Sequence, residues 1–266
     1  APTSRPTQTT NMEALVEHYE RVVQLCAVAS GNSSSNSSSS NSSSSSSNVQ
    51  DACTSFLAET DRVRKEGVVD QTFERFFLEA FSIAAFVGDL GLAKECITVP
   101  EAAINDLVLN LPEVGPAGSP FLSVQVKSKR SCDGTFVSTH SAYDGQLIIV
   151  ISLGDDGSRT YWAVPGHLLA DAQEPIILGF VRDQPNVRSI IRNRAFFRYR
   201  SFCIAKCTAA GAAGAAGTAD AAIESRRQRL VDIVRKWKHL LEWETSPEAA
   251  LQLTASEAYL GSWVEQ

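Results

Sequence analysis

Hydrophobic positions along this chain recur first with the period of a helix and later with the period of a strand. In MEALVEHYERVVQLCAVA, Leu15, Val16, Tyr19, Val22, Val23 and Cys26 return every three or four residues. That spacing predicts an amphipathic helix whose apolar stripe needs a partner. A second short helix is predicted over residues 51–65, with Cys53, Phe56, Leu57 and Val63 on its apolar side. Asp70 stands as an N-cap before QTFERFFLEAFSIAAFVGDLG, a helix expected to end at Gly88 and Gly91. It is apolar almost all round, which predicts burial; Glu74 and Glu79 are the exceptions inside it.

From about residue 95 the period falls to two. ECITV, NDLVLNL, FLSVQVKSK, QLIIVISL, TYWAVP and PIILGF are rich in β-branched and aromatic residues and are separated by Gly, Pro and Asp, so each is predicted to be a strand. PEVGPAGSP reads as a hairpin loop between the second and third strands, and GDDGS at 154–158 as a tighter turn between the fourth and fifth. With helical turns at 166–172 and a helical stretch beyond 220, the order predicts an α/β or α+β domain around one mixed central sheet flanked by helices.

Two biased stretches divide this pattern. Residues 31–49 are nearly all Ser and Asn and have almost nothing to bury, so they are expected to be a disordered, solvated linker. Asn32, Asn36 and Asn41 match the N-x-S/T sequon, as nearly any Asn in a serine tract would. Residues 208–220 are Ala and Gly with little else, a second connector. The resulting plan is an N-terminal amphipathic helix (1–30), a linker (31–49), a main domain (50–207), a linker (208–220) and a helical segment (221–266).

At 266 residues and 44% hydrophobic, the chain can bury a globular core. Its net charge of −6 speaks against coating nucleic acid or an anionic membrane wholesale, while leaving room for a local basic patch. No apolar run approaches the roughly 18 to 20 residues a spanning helix needs, so a soluble protein with no membrane partner is expected. The six cysteines form no CxxC pair and read as reduced thiols of an intracellular protein. No P-loop, GxSxG, HExxH or dinucleotide fingerprint occurs.

The local basic patch lies in RDQPNVRSIIRNRAFFRYRSFCIAK, residues 182–206. There Arg182, Arg188, Arg192, Arg194, Arg198, Arg200 and Lys206 outnumber Asp183, with Phe196, Phe197 and Tyr199 among them. Cations with interleaved rings suit a phosphate backbone and unpaired bases, so nucleic acid is the expected partner. The plainer alternative is a solvated face whose aromatics pack inward. Lys129 and Arg130 are assigned to the same contact. Trp237, Leu240, Leu241, Trp243, Tyr259 and Trp263 suggest a protein-binding platform, although buried core is the commoner fate of such residues.

Two charges inside strand-like runs carry the chemistry. Asp106 and Gln125 lie nineteen positions apart on two strands joined by one hairpin. Gln125 and Lys127 are two apart and share a face. The hairpin can therefore bring a carboxylate, an amide carbonyl and an ammonium into one small volume. A hard cation such as Mg²⁺ takes such oxygen ligands, and a nearby lysine can steady developing phosphoryl charge. This is the chemistry of metal-assisted phosphodiester hydrolysis.

On these residues the chain resembles the PD-(D/E)XK nuclease superfamily, with the fold of restriction endonucleases and Holliday-junction resolvases. The resemblance runs over about residues 71–180, through the helix carrying Glu79, NDLVL with Asp106, SVQVKSK with Gln125 and Lys127, YDGQLIIVISL and TYWAVP. It implies a restriction-endonuclease-like sheet, a metal-binding acid at Asp106, a second ligand at Gln125, a catalytic Lys127, and a helix glutamate beside the metal at Glu79 with Glu74 as fallback. It further implies Mg²⁺ or Mn²⁺ as cofactor and cleavage of DNA, with RNA the lesser expectation; the alternative is a nuclease-like module that kept the fold, lost the chemistry, and binds nucleic acid or scaffolds a larger assembly. The second ligand is normally Asp or Glu, so Gln125 predicts weaker metal binding; nuclease-like proteins with Gln in the same VQVK(S/T) context are familiar. Asn105 replaces the usual Pro. His140, Asp144 and His167 are secondary candidates: the first two to assist the site, the last to begin a helical turn.

Overall fold

The structure is a computed structural model that describes residues 8–31, 45–98, 105–130, 134–137, 143–170, 176–179, 202–208 and 219–250. Three helices open the chain: α1 (Gln8–Ala29), α2 (Ser45–Glu66) and α3 (Gln71–Leu90). Helix α2 begins inside the Ser/Asn tract, upstream of the expected start at residue 51. Val49 is its first buried side chain among those described, and the serines before it carry no hydrophobic pattern in the sequence from which that turn could be read. The rest of the expected linker, residues 32–44, lies outside the described residues.

Helix α3 is capped as expected at its start, where Asp70 Oδ1 accepts from the Thr72 and Phe73 amides at 2.8 and 2.9 Å. Gly91, with φ 64°, supplies the left-handed residue just past its end. Gly88 does not end the helix. It lies inside the last turn, where a Cβ would come within 1.8 Å of the Ala29 carbonyl oxygen. Its role is close approach: α1 ends against the bare backbone of α3.

The helices share a core of Val22, Leu25 and Ala29 from α1, Cys53 and Phe56 from α2, and Phe77 and Phe81 from α3. Phe56 and Phe81 stack with centroids 4.2 Å apart. The buried side of α1 is only part of the stripe read from sequence. His18 is 1% exposed, with Nδ1 3.1 Å from Glu59 Oε1 and its ring edge-on to Phe77. Val16, Tyr19 and Val23 instead face outward. A polar histidine does not count toward an apolar stripe, yet a paired imidazole can occupy a core position, and here it rotates the buried face.

The remaining strands are β1 (Cys96–Thr98), β2 (Leu107–Asn110), β3 (Phe121–Arg130), β4 (Gly134–Val137), β5 (Leu147–Leu153), β6 (Arg159–Pro165), β7 (Ile176–Gly179), β8 (Cys203–Cys207) and β9 (Trp243–Glu244). Helix α4 (His167–Ala170) follows β6, and α5 (Ala219–Trp237) and α6 (Pro247–Ala250) flank β9. Seven strands form one mixed sheet in the order β1-β2-β3-β5-β6-β8, with β9 also on β3. Both expected hairpins form, β2 with β3 and β5 with β6. The β3/β5 pair is parallel, and its neighbours along the sheet are antiparallel.

Two expectations about the sheet are corrected. PIILGF does contain a strand, β7, but it pairs with β4 in a separate two-stranded sheet. The edge beside β6 is taken by β8, from a stretch read as nucleic-acid-binding rather than as strand. Alternation predicts that a segment is extended; which edge it joins is decided by the tertiary path.

Alternating strand positions divide the sheet between two coverings. Leu107, Leu109, Leu122, Val124 and Val126 join Phe86 and Leu90 of α3 and Leu230 and Val234 of α5 in the main core. Val108 and Phe121, on the other parity, meet Ala250 of α6. The segment after residue 219 is therefore not a separate appendage. Leu241 is buried, Trp237 and Trp243 pack on the main core, and Trp243 pairs with Leu122 in β9. For these residues core burial displaces the platform reading; Tyr259 and Trp263 lie outside the described residues.

A buried polar cluster ties the layers together. Arg159 of β6 donates from Nε and Nη2 to Asp89 of α3 at 2.6 and 3.2 Å, and from Nη1 to Gln50 of α2 at 2.7 Å. Tyr161 donates to the same Asp89 carboxylate at 2.7 Å. Asp89, Arg159 and Tyr161 are each at most 1% exposed, so the ions are compensated by geometry rather than by water. Among the described residues no helix is long and apolar enough to cross a membrane.

Candidate functional site

The β2/β3 register pairs Leu107 with Val124, which sets Asp106 level with Gln125. The Asp106 amide donates to Val124 O at 3.0 Å, extending the ladder by one residue. Gln125 Nε2 donates to Asp106 Oδ2, and the Val126 amide donates to the same oxygen at 2.5 Å. The carboxylate is thus anchored by one oxygen. Asp106 Oδ1, Gln125 Oε1 and the Glu79 carboxyl accept no hydrogen bond among the described residues.

Lys127 lies two residues beyond Gln125 on β3, with Nζ 5.9 Å from the centroid of the Tyr143 ring. Its positive charge acts on both acids. Burial raises the Asp106 pKa, opposed by the Val126 amide, Lys127 and Gln125. Burial pushes Glu79 up to about 7, with the Asp106 charge adding to the rise and Lys127 opposing it. The structure therefore brings together Asp106, Gln125, Lys127 and Glu79 from α3, β2 and β3. Two carboxyl groups, one amide and one ammonium make up the set. Among the described residues no cluster of three or more His, Cys, Asp or Glu side chains occurs.

The other sequence candidates separate from this site. Glu74, the fallback, forms an ion pair with Arg64 of α2 and is taken up there. Asp144 is exposed in the turn before β5, 3.0 Å from His167 Nδ1, and His167 opens α4 as expected. Arg130, assigned to nucleic acid from the sequence, is held in the structure by two acids. It reaches Asp61 with both terminal nitrogens at 2.7 and 3.0 Å and Asp155 with Nε at 2.7 Å, so two carboxylates already balance its charge. Lys129 is exposed near the end of β3. Arg188, Arg192, Arg194, Arg198, Arg200 and His140 lie outside the described residues.

Three features of the site were not read from the sequence. Asn105, treated only as a substitute for proline, is 1% exposed and donates from Nδ2 to Ala250 O at 2.9 Å, joining α6 to the start of β2. Tyr143 beneath Lys127 carried no signal of its own. The acids also line a cavity of about 1290 Å³ between α1 and α3, whose remaining walls are mostly apolar. A polar residue directly before the candidate acid is the one clue that could have singled out Asn105. Comparisons with family models, curated proteins and solved structures gave no match for this chain.

Proposed function

We propose that the chain is a metal-dependent nuclease of the PD-(D/E)XK kind, hydrolysing phosphodiesters with Mg²⁺ or Mn²⁺ and with DNA as its first substrate class. The observation that carries this reading is the single register pair that seats Asp106 against Gln125, with Lys127 next on the same face and Glu79 across from them. The donor set fits a hard cation. Asp106 Oδ1, Gln125 Oε1 and Glu79 are oxygen acceptors without donors among the described residues, and they would hold the ion together with water. When bound, a divalent metal supplies Lewis acidity and an acidified water.

The chain's own groups do the rest. Gln125 and the Val126 amide fix the Asp106 carboxylate so that its free oxygen keeps one direction. Lys127, steadied over Tyr143, offers an N–H donor and a positive charge to the phosphoryl oxygens as negative charge builds on them. Water attacks phosphorus, the bond from phosphorus to the leaving ester oxygen breaks, and a proton passes to that oxygen.

The deciding experiment is cleavage of supercoiled plasmid, branched DNA and RNA with and without Mg²⁺ or Mn²⁺. Asp106→Asn should lower metal binding and cleavage together. Lys127→Ala should leave metal binding intact and slow cleavage a hundredfold or more, about 3 kcal/mol of transition-state stabilisation. One observation favours a silent scaffold that binds nucleic acid or holds an assembly: the second ligand position is an uncharged amide already bonded to Asp106. Gln125→Glu separates the readings, since it should tighten metal binding and at least preserve the rate of a live site. If neither wild type nor Gln125→Glu binds metal or cuts, the scaffold reading replaces the nuclease.

A further inference from the structure

We propose that the groove between α1 and α3 binds unpaired nucleotides of the substrate, with bases stacked on Tyr19, Phe73 and Phe76 and the strand running on to the acids, so that the substrate class is single-stranded or flapped DNA rather than uninterrupted duplex. The groove and the candidate metal site are one cavity, whose walls carry these three rings and also Glu79 and Asp106. Whatever fills the groove therefore leads to the bond to be cut.

The rings are placed for stacking. Tyr19, Phe73 and Phe76 are 53%, 47% and 40% exposed, and all three surround the buried Phe77, with centroids 6.4, 6.4 and 5.5 Å from its own. A single exposed ring is ordinary, but three in one groove wall mark a surface that is used. Every base has a π-face, so rings of this kind take unpaired bases with little regard to sequence. Phe73, Phe76 and Glu79 follow at three-residue intervals along α3, and the helical rise puts about 9 Å between the first and the last. That is about three steps of a stacked strand at roughly 3.4 Å per nucleotide. Bases held on the rings thus stand a few nucleotides from the phosphate that Asp106, Gln125 and Lys127 would handle.

The same cavity sets aside other occupants. A paired duplex keeps its base faces inside the helix and would offer only sugar and phosphate to apolar walls. A peptide helix or a second copy lying in the groove would cover Glu79 and Asp106, the groups that must reach the substrate. With the bases turned inward, the phosphates stay at the rim. Arg75 shares a face of α3 with Glu79, four residues on, is exposed, and has no ion-pair or hydrogen-bond partner among the described residues. It is placed to meet the backbone there.

The inference rests on the nuclease reading for the position of the cut, so its test reads binding alone, in EDTA at pH 6, where Glu79 holds most of its proton. The probe is a fluorescein-labelled oligothymidylate of about fifteen nucleotides, within the usual range of site sizes, compared by anisotropy with a blunt duplex of equal length. The full chain should bind the single strand at least about tenfold more tightly than the duplex. Phe73→Leu with Phe76→Leu keeps apolar bulk but removes stacking, and should weaken single-strand binding about tenfold with circular dichroism unchanged. Phe76→Trp should retain full affinity, with its added emission quenched by the oligothymidylate. Arg75→Gln should lower the log-log salt slope by about 0.7. Bound oligothymidylate should also slow alkylation of Cys26 and Cys96, both thiols of the groove. Equal affinity of wild type and the leucine variant, a preference for the duplex, or thiols left unprotected overturns the proposal. Binding that follows every expectation without cleavage under Mg²⁺ or Mn²⁺ retires the nuclease and upholds the groove as a single-strand site. Duplex cleavage that the leucine variant leaves unchanged does the reverse.

Discussion

Glu79 is half-buried among apolar side chains and sits beside a second carboxylate, so ionising it costs the folded state free energy that it does not cost the unfolded chain. Its pKa rises from an ordinary 4.5 to about 7 on folding. The folded state thus binds this proton more tightly, and stability falls as pH rises from about 4.5 to about 7, then levels off. At about 1.4 kcal/mol per pKa unit, reduced for partial solvent contact, the loss is on the order of 2 kcal/mol. Asp106, also raised, acts in the same sense, while Glu59 and Asp61, lowered chiefly by Arg62 and Arg130, act in the opposite one at lower pH. Glu79→Gln removes one contribution only. Urea unfolding at pH 5 and pH 8 should show the variant losing less stability across that interval than wild type. Parallel curves would place Glu79 in water.

Among the elements, α3 holds the molecule in register because three different surfaces depend on it. One side stacks on α2 through Phe81, another receives the end of α1 at Gly88, and its last turn supplies Asp89 to Arg159 and Tyr161 of β6. Gly88 tests the second surface. Replacing a glycine within a helix by alanine usually gains up to about 1 kcal/mol from helix propensity. Here the new methyl would meet a backbone carbonyl at 1.8 Å, and a carbonyl at a helix end cannot yield without moving α1. Overpacking costs about 1–3 kcal/mol and should win, so Gly88→Ala is expected to be net destabilising in chemical denaturation. A stabilised variant would mean that α1 shifts freely on α3.

For the whole molecule, the sheet and α5 share one core, which predicts that they unfold together. Leu230, Val231, Ile233 and Val234 occupy the main core, Arg226 donates to Asp89 O at 3.1 Å, and β9 adds to β3. A chain ending at residue 207 would expose that core together with the inner face of β8. It should fail to unfold cooperatively by heat, whereas the full chain should show a single transition. Cooperative melting of the shorter chain would restore the boundary expected from the Ala/Gly stretch.

The first three helices and the strands β1, β2, β3, β5, β6 and β7 were legible because each follows from local rules that the chain carries residue by residue, whereas β4, β8 and β9 were not. The Asp70 cap, the left-handed Gly91, the period-two runs of β2, β3, β5 and β6, and the Gly-rich turn at 154–158 need no distant partner to be read. The candidate site was legible for the same reason: a hairpin fixes register, and register alone sets Asp106 opposite Gln125 with Lys127 on the same face. Local rules do not say which surfaces meet. That β8 rather than β7 takes the sheet edge, that Arg130 is spent on Asp61 and Asp155, and that Asp89 and Arg159 meet 70 positions apart depend on contacts between distant segments. The α1 stripe shows the division most plainly. Its period predicted an apolar face, but a paired His18 turned part of that face outward, and only packing against α2 and α3 decided which residues were left to line the groove.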